Sequence, residues 1–303
     1  MVYLSKTWLS LTLFLEADAV ILDFYFSNHG YVIDFSHTMT EGPITTDFHL
    51  HSRYEIYFFI SGNVKYFVEK KSYILKPGDL LVMNSHEIHK PSFLDYSPYE
   101  RYVIHFDPEL PKLFNYNGSD LLNCFVNRPV GEKNKIALRS DQIEELKGLF
   151  QKLEKARKES DFASAAKLAC FLEILILINK AFNSSGAREE PTTFSKRLTP
   201  ILEYIDENLD GDLSLSCLEK KFYISGSYLS RLFKKNVGSN IHEYIIYKRI
   251  SKAKRLLGEG YNANQASLMC GFNDFSNFSR LFKRTVGISV REYKSRAKNS
   301  GVV

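Results

Sequence analysis

The chain has 303 residues, 44% of them hydrophobic and 25% charged, with a formal net charge of +5. That length accommodates two domains with separate cores, and the composition is ordinary for a soluble globular protein. Cys124, Cys170, Cys217 and Cys270 lie far apart with no CxxC pair. This fits buried thiols in a reducing cytoplasm and argues against a disulfide framework or a cysteine zinc site.

The charge is unevenly spread. Residues 196–303 carry 19 Lys/Arg and 10 Asp/Glu, a net +9, which leaves residues 1–195 at −4. A basic final third on a mildly acidic body predicts that one domain meets a polyanion and the other does not.

In chain order, the apolar stretch 8–26 is interrupted by Glu16, Asp18 and Asp23 and shows no small-residue cleavage site. It reads as a leading arm or strand, and no other run approaches a membrane span. Residues about 30–130 read as short strands. "YEIYFFISGNVKYFVEKKSYILKPGDLLVMN" alternates aromatic and β-branched residues with polar ones, with breaks at Ser61-Gly62-Asn63 and Pro77-Gly78-Asp79. Such a series predicts an antiparallel sandwich or barrel.

Within it, "HLHSRYEIYFFISG" spells His-x-His-x3-Glu-x6-Gly from His49, and "KPGDLLVMNSHEIHKP" ends on His89. The two stretches resemble the first and second motifs of cupin barrels, although His86 stands where that pattern has glycine. In metal-binding cupins the matching residues, here His49, His51, Glu55 and His89, converge inside the barrel, and imidazoles with a carboxylate suit zinc, iron, manganese or nickel. The resemblance equally allows polar barrel residues bonded to one another or to an effector. The latter is the expectation: no metal or other cofactor, and effector contacts at His49, His51, Arg53, Glu55, Tyr57 and His89. Arg53 would fork a carboxylate or diol and Tyr57 would stack on a sugar face.

"SDQIEELKGLFQKLEKARKES" (140–160) places Ile143, Leu146, Leu149, Phe150 and Leu153 on one helical stripe. "FASAAKLACFLEILILINKAF" (162–182) is apolar nearly all round in its second half, so it requires cover on more than one side. "NSSGAREEPTT" (183–193) reads as an interdomain linker.

The remainder is helical and contains a repeat. Residues 230–244 and 279–293, 49 positions apart, share nine of fifteen residues. In each copy a short helix, a tight turn and a second helix with a basic, hydroxyl-bearing outer face describe a helix-turn-helix. In the first copy Ser214 or Ser216 caps the supporting helix and Ser225 the second one. Tyr228, Leu229, Leu232 and Phe233 point inward, and Ser227, Ser230, Arg231, Lys234 and Lys235 outward. In the second copy Asn273 or Asp274 is the cap. Phe278, Leu281 and Phe282 point inward, and Ser276, Asn277, Ser279, Arg280, Lys283 and Arg284 outward. A helix from about Ile241 to Leu257, about 25 Å long, would set the two second helices about one DNA turn apart.

"SYLSRLFKKNVG", "YKRISKAKRLL" and "CGFNDFSNFSRLFKRTVGISVREYK" resemble the DNA-binding domain of AraC/XylS-type bacterial transcription regulators over residues about 196–296. The resemblance implies base contacts from Ser227, Ser230 and Arg231 and from Phe275, Ser276, Ser279 and Arg280. Lys234, Lys235, Lys283 and Arg284 would then meet phosphates. It also implies an N-terminal cupin-like barrel that binds a small molecule, often a sugar. The expected layout is a barrel with its arm (1–139), a helical dimerisation segment (140–183), a linker (184–195) and an all-α domain with two helix-turn-helix units joined by a helix (196–303). The expected protein is a cytoplasmic homodimeric regulator, an activator rather than a repressor and not an enzyme. Its partners would be double-stranded DNA, a small effector and RNA polymerase, with no membrane. The alternatives are a metal-dependent cupin enzyme tethered to DNA and a ligand-independent regulator.

Overall fold

The computed structural model describes residues 20–26, 31–41, 46–156, 163–184 and 197–299; the leading segment before Val20 and the expected linker beyond Ser184 lie outside them. The strands are β1 (Val20–Phe26), β2 (Tyr31–Thr40), β3 (Tyr54–Ser61), β4 (Val64–Val68), β5 (Lys71–Ile74), β6 (Leu80–Met83), β7 (His89–Phe93), β8 (Tyr99–Phe106) and β9 (Lys135–Ile136). They form a six-stranded sheet, β1-β2-β8-β3-β6-β9, and a three-stranded sheet, β5-β4-β7. Every pairing is antiparallel. The expected barrel is therefore open: among the described residues the sheets meet in an isolated bridge between His49 and His89 rather than in a closing ladder.

The period of two along a strand assigns side chains to two cores. On the central strands Ile56, Phe58, Leu80, Val82, Ile104 and Phe106 face outward onto helices. Tyr57, Phe59, Leu81, Met83 and Val103 face inward onto Tyr66 and Tyr73 of the smaller sheet. The break predicted at Gly62 is a turn at φ +122, where a Cβ would sit 3.1 Å from the Pro98 carbonyl oxygen.

Residues 107–134 are not strands. They hold the short helices α1 (Glu109–Lys112) and α2 (Asn123–Val126) and connecting loops. The loop after α2 is held by a buried ion pair. Arg128 meets both Glu87 oxygens at 2.6 and 2.7 Å and also donates to the carbonyls of Cys124, Glu132 and Val82. Helices α3 (Ser140–Lys155) and α4 (Ala163–Ser184) pack on each other and on the outer face of the large sheet. Leu146, Leu149, Phe150 and Leu153 of α3 are buried, as the stripe predicts, together with Phe171, Ile174, Leu175 and Ile178 of α4.

The second half consists of α5 (Thr199–Glu207), α6 (Leu215–Phe222), α7 (Gly226–Val237), α8 (Ile241–Gly258), α9 (Ala263–Met269), α10 (Phe275–Val286) and α11 (Val290–Asn299). Helix α8 is central and packs on α7, α9, α10 and α11. Its eighteen residues span about 27 Å. The same core takes in Phe48, Leu50, Phe67 and Ile88 from the sheet domain, with Phe48 set between Phe67, Tyr244 and Tyr247. Among the described residues no helix is long and apolar enough to cross a membrane.

Candidate nucleic-acid interface and ligand pocket

Each repeat folds into the same local device. In the first, Ser214 caps α6 by accepting from the Cys217 amide, and Ser225 caps α7 by accepting from the Tyr228 amide. Between them the exposed Tyr223 adopts a left-handed φ of +54. In the second, Asn262 and Gln265 close a reciprocal cap on α9, and Asp274 caps α10 through the Ser276 and Asn277 amides. Helices α7 and α10 both end on a left-handed glycine, Gly238 and Gly287. Gly271 in the second turn has φ +75, and a Cβ there would meet the Leu209 carbonyl oxygen.

The inward residues of both second helices are buried at Leu229, Phe233, Phe278, Leu281 and Phe282, which fixes the opposite face outward. Ser227, Ser230, Arg231, Lys234 and Lys235 on α7 are exposed, as are Phe275, Ser276, Arg280, Lys283 and Arg284 on α10, while Ser279 is half-buried. Phe275, which the resemblance places among the base contacts, is 43% exposed and rests against Phe278 with ring centroids 5.8 Å apart. Arg280 donates to the Asn277 side-chain oxygen at 2.9 Å, which holds the guanidinium along the outer face. This is an electropositive pair of helices with short polar side chains between the cations, the chemistry that meets phosphates and base edges.

The second site lies between the sheets. Glu55 points into the concavity from β3 with a side chain only 4% exposed, and three imidazoles converge on its Oε2. The Nε2 atoms of His51, His89 and His105 each lie 3.0 Å from it. Tyr66 donates to the other oxygen at 3.4 Å. Tyr57 lies 4.6 Å from Tyr66 between ring centroids, and its hydroxyl meets that of Tyr99 at 2.5 Å. His49 lies against His89 with ring centroids 5.7 Å apart. Desolvation by its surroundings holds the His49 pKa down to about 3, and His89 pushes in the same sense.

The electrostatics divide the histidines. Burial lowers His51 to about 4 against the opposing hydrogen bond from Glu55. Burial would also lower His89, but the Glu55 charge and hydrogen bond outweigh it and raise it. Burial alone would raise the Glu55 carboxyl; His89 and His105 outweigh it and hold the group well below the usual carboxylate range. The pocket thus holds an ionised carboxylate, a His89 ring pushed towards imidazolium, and His49 and His51 rings held neutral.

The structure brings together five of the six residues that the motif reading singles out: His49, His51, Glu55, Tyr57 and His89. Arg53 is committed elsewhere, in an ion pair with Asp34 on β2. The compact donor set is His51, Glu55 and His105, whose donor atoms lie within 4.8 Å of one another. His49 and His89, both expected in any metal set, contribute no atom to it. His105 was missed because neither motif contains it; it enters through register, since β8 pairs His105 with Glu55. Only the alternation of "YVIHF" hinted that His105 shares a face with Val103.

The AraC-like ligand binding domain matches residues 33–172 and a helix-turn-helix domain matches residues 218–296. The HTH-type transcriptional activator RhaR of Mannheimia succiniciproducens is 24% identical over 283 residues, covering 89% of this chain and 96% of that protein. The uncharacterized HTH-type transcriptional regulator YbfI of Bacillus subtilis is 27% identical, covering 76% of this chain and 80% of that one. The activator Btr of Bacillus subtilis is 29% identical over 156 residues, 51% of this chain and 29% of its own. With a ligand-binding domain of this type ahead of two capped helix-turn-helix units, the chain belongs to the AraC/XylS-type transcription regulators and is not an enzyme.

Proposed function

We propose that the chain is a cytoplasmic, homodimeric, sequence-specific activator that responds to a hydroxyl-rich small molecule, a sugar or a relative of one, held between the two sheets. The observation that carries this reading is the pocket itself: His51, His89 and His105 converge on Glu55 beside Tyr57 and Tyr66. Imidazoles and a carboxylate bond hydroxyls, and aromatic faces stack on a sugar ring. Ser227, Ser230, Arg231, Phe275, Ser276, Ser279 and Arg280 read bases, and Lys234, Lys235, Lys283 and Arg284 meet phosphates. The dimer rests on α4, where Ile176 is 42% exposed and Leu168 and Leu172, at four-residue spacing before it, are only partly buried against the core. RNA polymerase is the further partner of an activator.

A thermal-shift screen of the full chain against sugars, sugar acids and small aromatics tests the reading. A ligand at 100 times its dissociation constant stabilises by about 2.7 kcal/mol, and His105→Ala removes that shift. A ligand-independent regulator would give no shift from any compound and DNA binding indifferent to all of them.

One feature of the geometry favours a second reading. His51 Nδ1 sits 2.8 Å from the Arg53 carbonyl oxygen, and His89 Nδ1 sits 2.9 Å from that of Glu87. The imidazolium of His89 donates on both sides, but the neutral His51 ring faces an acceptor on both sides and donates on only one. A divalent cation would satisfy that arrangement, with His51, His105 and Glu55 as ligands and the His51 Nδ1 proton fixed by the Arg53 carbonyl. Zinc or nickel retained through gel filtration, and lost in His105→Ala, would establish it. A metal-free protein whose melting temperature ignores chelator would dismiss it.

A further inference from the structure

We infer that α8 is the element through which the histidine pocket controls the two recognition helices, because its Lys254, Ser251 and Lys248 grip the same backbone segments that carry the pocket histidines. The inference rests on reading that pocket as the effector site and names how its occupancy is passed on.

Lys254 Nζ donates to the His51 carbonyl at 2.8 Å and also to the Ser85 carbonyl. Ser251 Oγ donates to the His86 carbonyl at 2.5 Å. Lys248 pairs with Glu69, and Glu69 is itself tied to the His89 segment, accepting from the Ile88 amide at 2.8 Å. All of these barrel groups belong to, or are bonded to, residues 51 and 85–89. His51 therefore has two faces: its ring reaches Glu55 in the pocket, and its carbonyl holds the DNA-binding half. A ligand that moves the His51 ring away from Glu55 must turn that peptide or strain it.

The positions on α8 follow from helical spacing. Tyr244, Tyr247, Lys248, Ser251 and Lys254 recur every three or four residues and form one face, set against the sheet domain. The rest of the helix belongs to the DNA-binding half. Arg249 donates to the carbonyls of Leu209 and Gly211, before the first helix-turn-helix, and to that of Gly271, in the turn of the second. Ile245, Ala253, Leu256 and Leu257 lie in the shared core. A shift of α8 thus moves both units together.

The chemistry of the grip supports a switching role over a purely structural one. Lys254 is fully buried and bonded to backbone carbonyls, where an apolar residue of its length would stabilise the contact more. Two lysines extend the same pattern at the other end of the interface. Lys90 Nζ donates to the Gly238 carbonyl at 2.7 Å and Lys65 Nζ to that of Asn236 at 3.0 Å, both at the C-terminal end of α7. Bonds of this kind form only in one register and release together when that register is lost.

Coupling between two sites is reciprocal, so DNA must act on the pocket as the pocket acts on DNA. The experiment is hydrogen exchange, read by mass spectrometry, on the full chain with and without a duplex that the same chain enriches from a random-sequence pool. In the parent, DNA changes exchange at residues 47–55 and 84–90 by about fivefold or more. In Lys254→Met, which keeps the side-chain length and removes the donor, the duplex still binds and that change disappears. Ser251→Ala, at a half-buried position, decides the matter if Lys254→Met does not fold, and halves the response or more. Unchanged exchange in the parent while DNA is bound overturns the inference and leaves the regulator reading standing. So does a full response in the variant that folds. Enrichment of no sequence overturns the DNA-binding reading and this inference with it.

Discussion

Removing Lys283 and Arg284 together should flatten the salt dependence of DNA binding by a calculable amount. Lys234, Lys235, Lys283 and Arg284 are exposed in the last turns of the two recognition helices and are the four cations assigned to phosphates. Four neutralised phosphates give a slope of about −3.6 in log K against log salt, hence about a 150-fold loss of affinity between about 50 and 200 mM. Lys283→Ala/Arg284→Ala leaves two, a slope of about −1.8 and about a 12-fold loss over the same range. Further cations on the protein steepen both slopes equally, so the difference of about 1.8 is the diagnostic quantity. Both residues are exposed, so the fold should be unaffected, which circular dichroism would verify. Fluorescence anisotropy of a labelled duplex across a potassium chloride series gives the slopes. Equal slopes for parent and variant would refute the assignment of these two cations to phosphates.

Other perturbations follow from the same geometry. Arg231→Ala and Arg280→Ala should each cost about 1–3 kcal/mol of specific binding and relax discrimination at one base pair, measured by competition with single-substitution duplexes. Equal binding of specific and scrambled DNA by parent and variant would be the contrary outcome. Arg128→Met leaves the Glu87 carboxylate buried without its bidentate partner, and should cost about 3–5 kcal/mol in urea unfolding. Arg128→Met with Glu87→Leu should cost less than the single change, and a loss under about 1 kcal/mol would contradict the pairing. His86 gives a pH signature. Burial, with Lys254 adding to it and Glu87 opposing it, lowers His86 from 6.5 to about 4. The unfolded chain therefore takes up this proton first, and stability falls as pH drops from about 6.5 towards 4. By pH 5 the loss is about 2 kcal/mol at most, relative to pH 7. His86→Gln should remove that part of the acid sensitivity, and identical pH profiles would refute it.

Much of the second half was legible in the sequence because its information is local. Caps, turns and stripes are written within a few residues of one another: Ser225 lies three residues before Tyr228, and Gly238 directly follows Val237. The repeat of residues 230–244 and 279–293 made both second helices and their outward faces readable from spacing alone. In the first half, alternation gave the strands and the breaks at Gly62 and Gly78, and the two motifs brought His49, His51, Glu55 and His89 to notice.

Tertiary structure decided what depends on register and on contacts between distant segments. His105 reaches Glu55 because β8 lies beside β3 with those two residues opposed, fifty positions apart, and no local pattern encodes that pairing. Arg53 shares a face with Glu55, yet Asp34, two strands away on β2, claims it. The loops of residues 107–134 look apolar enough for strands, but they are fixed by the buried Arg128–Glu87 pair. The α8 segment places Lys248, Ser251 and Lys254 on one helical face. The fold buries Lys254 in that face against carbonyls about 200 and 170 positions away. A lysine satisfied by backbone oxygen leaves no partner in the sequence to find, since every residue carries the same carbonyl.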